Sequence, residues 1–249
     1  MRRTPALLLA CVVLIAAGER SGYDDTGPET RAMQDDDSAN PGFLWVREGE
    51  ADWSAPAGPD GKSCAACHGD AVVSMRGIAT RYPAFDQKLG RPITLDRRIA
   101  QCRVERQHAD PLPPESDAAL GLSAYIGLQS RGMPLHVATD GPVRPFYEAG
   151  RTLFHTRMGQ LNLSCAQCHD QRAGQKLAGA VIPRGHPNGY PEYRLEWQAM
   201  GSLNRRLRNC MVGVRAEPFP PESPEMTDLA LFLAGRSDGL KVETPAVRP

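Results

Sequence analysis

Seven cysteines and six histidines are present in 249 residues, and most of the cysteines fall into a pattern with defined chemistry. Cys64-Ala65-Ala66-Cys67-His68 and Cys165-Ala166-Gln167-Cys168-His169 both read Cys-x-x-Cys-His. In that arrangement the two thiols add to the vinyl groups of a haem, and the adjoining imidazole is placed to ligate the iron. A zinc site would need a further ligand close by, and a dithiol redox pair would have no use for the histidine. One copy of so short a motif arises by chance. Two copies point to two covalently attached c-type haems, with His68 and His169 each filling one axial position.

Setting aside those four thiols and Cys11 leaves Cys102 and Cys210. Each closes a basic run: Arg97-Arg98-Ile99-Ala100-Gln101-Cys102 and Arg205-Arg206-Leu207-Arg208-Asn209-Cys210. As thiolate ligands opposite the imidazoles they would stabilise ferric iron and lower the potential relative to methionine. Two other assignments stand beside this one. Met133-Pro134 lies 65 residues after His68, where a small cytochrome c carries its methionine ligand, although its counterpart in the second half is Leu240. A disulfide joining Cys102 to Cys210 would suit an oxidising compartment. His108, His136, His155 and His186 have no counterparts in the repeat and read as surface residues.

Arg206 lies one helical turn before Cys210, with Arg205, Arg208 and Arg215 nearby. Such a cluster would lower a thiol pKa and hold a small dianion through forked hydrogen bonds, or else pair with haem propionates. Arg98 stands in the same relation to Cys102, so spacing alone does not say which cysteine is reactive.

The elements that must position these groups are duplicated. Gly49, Trp53 and the first motif match Gly150, Phe154 and the second at a displacement of 101. The two arginine-cysteine blocks match at 108, so the second half carries seven extra residues after its motif. Leu112-Pro113-Pro114-Glu115-Ser116 matches Phe219-Pro220-Pro221-Glu222-Ser223 at 107. A short helix is expected ahead of each motif. After the caps Ser116 and Ser223, Leu122, Tyr125, Ile126 and Leu229, Phe232, Leu233 predict terminal helices with one buried face, their aromatics packed on the leading helices. The fold class is therefore mainly α, two tandem cytochrome c-like domains related by duplication, each around one haem.

Boundaries follow from composition. Residues 1–18 read as an export signal: Arg2 and Arg3, an apolar run over 6–17, and small residues to Gly18. That run is too short to span a bilayer comfortably. Leu8-Leu9-Ala10-Cys11 looks like a lipoprotein box, but apolar residues continue past it, so Cys11 reads as discarded with the signal. Residues 19–42 form an acidic arm without apolar period, expected to be mobile or loosely docked. Domain 1 spans 43–138 and domain 2 spans 143–240, separated by the turn-rich Thr139-Asp140-Gly141-Pro142. The Gly/Pro-punctuated stretch 174–193 reads as an irregular loop, and the tail 241–249 is expected to lie over the surface. Lys plus Arg equals Asp plus Glu at 29 each, which gives no electrostatic case for nucleic acid.

The paired motifs, each followed by a lone cysteine, and above all Arg205 to Cys210 running on through Met211-Val212-Gly213-Val214-Arg215-Ala216-Glu217-Pro218-Phe219, resemble the SoxA family. These are cytochrome subunits of the SoxAX complex of bacterial sulfur oxidation. The resemblance covers about residues 43–240 and, with both motifs intact, implies a dihaem form. It implies ligation by His68 with Cys102 and by His169 with Cys210. It makes Cys210 the catalytic cysteine, often a persulfide in that family, and Arg206 a substrate-binding residue. The implied reaction is oxidative conjugation of thiosulfate to a cysteine of the SoxYZ carrier in the periplasm. Electrons would pass through the monohaem partner SoxX, in a heterodimer, to a soluble cytochrome c. A dihaem relay without substrate chemistry of its own is the alternative; a peroxidase would want an open distal site with an imidazole beside it.

Overall fold

The computed structural model describes residues 19–249; the export signal read in 1–18, with Cys11, lies outside them. The arm, expected to be mobile or loosely docked, is docked. Its helix α1 (Pro28–Asp35) begins with proline, whose missing N–H costs nothing in a first turn. Asn40 Nδ2 donates to Pro245 O at 2.9 Å and Ser21 Oγ to Glu243 Oε1 at 2.6 Å. Docking through polar contacts far along the chain, among them the two hydrogen bonds that Asp37 accepts from Arg131, leaves no apolar period in the sequence.

The first half runs through α2 (Phe43–Ser54), α3 (Cys64–His68), α4 (Ala71–Ser74), the hairpin β1 (Ala84–Asp86) and β2 (Arg91–Ile93), α5 (Leu95–Gln107) and α6 (Asp117–Leu128). The second half repeats the plan with α7 (Arg144–His155), α8 (Cys165–His169), an inserted hairpin β3 (Lys176–Leu177) and β4 (Ala180–Val181), the hairpin β5 (Glu192–Arg194) and β6 (Ala199–Gly201), α9 (Leu203–Gly213) and α10 (Pro224–Gly235). The stretch read as an irregular loop thus contains a short hairpin. Helix starts follow from side-chain caps. Thr94, Ser116, Ser202 and Ser223 each accept the N–H three residues on, at 3.2–3.3 Å.

Within each half the leading and terminal helices cross at glycine. A Cβ at Gly49 would lie 2.0 Å from Gly121 O, and one at Gly150 2.0 Å from Asp228 O. That approach brings Trp53 to 6.1 Å from Tyr125 and Phe154 to 5.2 Å from Phe232, the aromatic packing expected from the repeat. The expectation of one buried face per terminal helix needs correcting: Leu120–Gly127 of α6 and Met226–Ala234 of α10 are buried throughout. The back of α10 meets β2 of the first half, while that of α6 meets α5 and, at Gly127, Thr244 of the tail.

The tail is also corrected. Residues Ala246–Arg248 form β7, parallel to β5, making the sheet order β6-β5-β7. All three are buried, with α1 packed against them. A three-residue strand is too short for a recognisable period, and its partner lies some fifty residues away.

Where the halves meet, Arg91 Nη2 stands 3.6 Å from Asp228 Oδ1, too far for a hydrogen bond. Asp228 Oδ1 and Arg91 Nε are buried without partners. Burial therefore outweighs the attraction of Arg91 and pushes the Asp228 carboxyl up to about 6. Because the folded state holds this proton more tightly than the unfolded chain, stability falls as pH rises from about 4 to 6. Asp228→Asn should remove that slope. Chemical denaturation should find it equal to the parent at pH 3.5 and more stable at pH 7.5, by on the order of 2 kcal/mol.

Candidate haem and anion site

The second attachment motif is held by its own helix. Ser164 and Gln167 form a reciprocal capping box at the start of α8, with the Ser164 N–H donating to Gln167 Oε1 at 2.9 Å. His169 Nδ1 lies 2.7 Å from Pro183 O. A carbonyl only accepts, so the ring proton sits on Nδ1 and the Nε2 lone pair is left for a metal. Burial lowers the His169 pKa, keeping the ring neutral as ligation requires.

A cavity of about 510 Å³ opens between α8, the inserted hairpin and α9. Leu161, Leu163, Ile182, Leu207, Met211 and Val214 give it apolar walls, while Cys165, Cys168, His169, Arg206 and Cys210 also line it. Thiols and an imidazole beside an apolar chamber form the donor set and surroundings that a covalent haem requires. The seven extra residues of the second half thus build part of this wall, through Leu177, Ala180 and Val181. An adjoining space of about 160 Å³ is lined by Tyr190, Glu192, Arg194, Arg206 and Cys210.

In the first half Cys67 and His68 are exposed, and Trp53 packs 5.8 Å from the His68 ring while donating to Gly69 O at 3.0 Å. Cys102 on α5 is near both attachment thiols: burial first, then the charge of Cys67, raises its pKa, and Cys102 in turn acts on Cys64. Cys102 and Cys210 are both free thiols, so the alternative disulfide is not formed. The Met133 side chain rests against Gly77.

The four arginines near Cys210 do not act as one cluster. Arg205 stacks on Trp197 at 4.2 Å, and Arg208 donates to Phe219 O at 3.3 Å. Both line a separate cleft between the halves. Arg206 shares both cavities with Cys210. Burial opposes its charge, but Cys210, Tyr190, Glu192 and Glu196 outweigh that and hold its pKa above the ordinary value. Arg98, its counterpart, is bound instead to Asp86 and, at 2.9 Å, to Gln101.

His108, His136 and His155 are exposed as expected. His186 is not: its side chain is 1% exposed, held between Ser237 Oγ at 2.8 Å and Glu19 Oε1 at 3.1 Å. At the displacement of 108 its counterpart is Ile78, so the repeat gave no histidine by which to judge it. Tyr190, Glu192 and Arg194 were also missed. The signal was available, because Tyr82-Pro83 and Tyr190-Pro191 stand at the same displacement of 108 as the arginine blocks.

Two attachment helices, two matching cysteine helices and a duplicated helical frame define the class: a tandem c-type cytochrome, mainly α, carrying two covalent haems. The SoxA/TsdA cytochrome c domain family matches residues 48–135 and 149–242, one segment in each half. The L-cysteine S-thiosulfotransferase subunits SoxA of Pseudaminobacter salicylatoxidans and Rhodovulum sulfidophilum are both 39% identical to it, over 92% of this chain and 80% of theirs. The subunit of Paracoccus pantotrophus is 36% identical over 92% of this chain and 78% of its own length. The crystal structure of SoxXA from P. pantotrophus superposes with a TM-score of 0.90 at 35% identity, covering 93% of this chain and 87% of that one. The chain belongs to the SoxA family, and so to a family of enzyme subunits. Among the described residues no helix is long and apolar enough to cross a membrane.

Proposed function

We propose that this chain is the periplasmic dihaem subunit that joins thiosulfate to a cysteine of the SoxYZ carrier, working as a heterodimer with the monohaem cytochrome SoxX. Cys64, Cys67, His68 and Cys102 would hold the first haem. Cys165, Cys168, His169 and Cys210 would hold the second. The observation that carries the reading is that Cys210 and Arg206 line one cavity with the second attachment motif, and Arg206 makes no side-chain hydrogen bond among the described residues.

In the reaction the carrier thiol loses its proton and forms a sulfur–sulfur bond to the outer sulfur of thiosulfate, releasing two electrons. A bound c-type haem supplies one-electron redox chemistry next to that sulfur. Arg206 binds the sulfonate oxygens and offsets the repulsion between two anionic sulfurs as they approach. Cys210 is the sulfur at which the thiosulfate is handled, and the buried Leu207 and Met211 on its helix exclude water from behind it. The electrons leave through SoxX to a soluble cytochrome c.

Arg206→Gln tests the assignment, since glutamine keeps much of the length and loses the charge. The KM for thiosulfate should rise about tenfold with haem content unchanged, the loss of one charge-assisted contact. An unchanged KM would favour the relay, and lost haem a propionate partner.

A further inference from the structure

The two halves place an arginine at the same point of the same helix and surround it with opposite charge. Arg98 and Arg206 follow the caps Thr94 and Ser202 by four residues and precede Cys102 and Cys210 by four. The hairpins ahead of these helices correspond in register as well. Asp86 pairs with Arg91 in the first and Arg194 with Ala199 in the second, every position displaced by 108. Asp86 and Arg194 therefore occupy one site in two copies of one hairpin.

The consequences for the arginine on the helix differ. Asp86 is 7% exposed and accepts from Arg98 Nη2, an ion pair that spends the charge beside Cys102 on the protein itself. The equivalent site of the second half holds a second guanidinium, Arg194, which lines one cavity with Arg206 and cannot accept a hydrogen bond. Glu192, standing where the first half has Ala84, is 3% exposed and holds Arg194 through Nη1 at 3.1 Å. Arg194 Nε remains buried with no partner beside the cavity. The nearest carboxylate to Arg206 is Glu196 at 3.9 Å, and that side chain is 52% exposed. Glu196 also lies 3.7 Å from Arg194 Nη2, so one half-exposed carboxylate is shared at long range by both guanidiniums, and an anion entering the chamber meets two cations on its wall.

We propose that Arg194 is a positioning residue for the anion: standing where Asp86 stands in the first half, it leaves Arg206 on the cavity wall with no buried carboxylate to hold it, and so makes the second half the one that takes thiosulfate. This rests on the reading of Arg206 given above. It answers what spacing could not, because both cysteines have an arginine one turn back and only one of those arginines is held by a buried carboxylate.

The test uses the haem-loaded protein in complex with SoxX, titrated with thiosulfate in the oxidised state by calorimetry, with haem content measured in parallel. Arg194→Asp recreates the Asp86 arrangement and should weaken binding about thirtyfold, while Arg194→Gln, which removes one cation without caging the other, should weaken it about fivefold. Arg194→Lys keeps the charge that cannot pair with Arg206 and should bind within about twofold of the parent. Parent-like binding by Arg194→Asp overturns the proposal, as does a loss in Arg194→Lys equal to that in Arg194→Gln, which would mark a packing role. If Arg194→Asp fails to load haem, the comparison of Gln with Lys decides alone. Arg206→Gln measured alongside separates the two readings. If it also binds like the parent, Arg206 is not the anion site; if it binds weakly while Arg194→Asp does not, only the role of Arg194 falls.

Discussion

Cys210→Ala should abolish thiosulfate conjugation, by about a thousandfold or more, while both haems stay covalently attached. The size follows from removing the sulfur at which the substrate is handled, a loss that neighbouring groups cannot make up. Attachment should survive because it belongs to other elements: Cys165 and Cys168 lie on α8, Cys64 and Cys67 on α3. The fold should survive too. Helix α9 is fixed in the core by Leu207 and Met211, whereas Cys210 is only partly buried between them and the cavity. Mass spectrometry of the carrier protein reads the conjugate, and the mass of the variant counts its haems. Low-temperature spin resonance should show one thiolate-type low-spin signal lost and one kept. Undiminished conjugation would reduce the chain to an electron relay, and loss of the second haem would show that Cys210 acts in assembly.

Much of this site was legible because the chain repeats itself. Duplication identified Cys102 and Cys210 as a pair, placed Arg206 one turn from its cysteine, and singled out Gly49 and Gly150 before their crossings were known. What stayed hidden depends on partners far apart in sequence. The β7 strand is buried by α1 and β5, and the arm is held by polar contacts to Arg131 and to residues near the C-terminus, so neither carries a local period. His186 is matched in the first half by Ile78, so the repeat gives it no histidine partner. The charge inversion at Asp86 and Arg194 is different in kind. Both residues were readable, bracketed at a displacement of 108 by the Tyr-Pro pairs and the arginine blocks, and the hairpin register bears out that they hold one position. A repeat indicates what two halves share, whereas specificity here lies in where they differ.

Gly150→Ala should cost about 3 kcal/mol of stability, the second largest effect expected. An added Cβ would sit 2.0 Å from Asp228 O, 2.6 Å from Asp228 C and 2.9 Å from Phe232 Cβ. Overpacking costs about 1–3 kcal/mol when side chains can turn aside, and here the obstacle is backbone in a helix buried throughout, which cannot. Alanine's better helix propensity returns only about 1 kcal/mol of a penalty at or above the top of that range. The displacement should also spread. Separating α7 from α10 loosens the stack of Phe154 on Phe232 and of Arg236 on Phe154, at 5.2 and 4.7 Å, and moves Asp228 at its contact with Arg91 of the first half. Urea denaturation of the haem-loaded protein should therefore give an earlier midpoint for Gly150→Ala. Gly27→Ala, where a Cβ meets nothing within 4 Å, should stay within about 0.5 kcal/mol of the parent. Equal midpoints for the two variants would mean that the helices do not cross as closely as their backbones are placed.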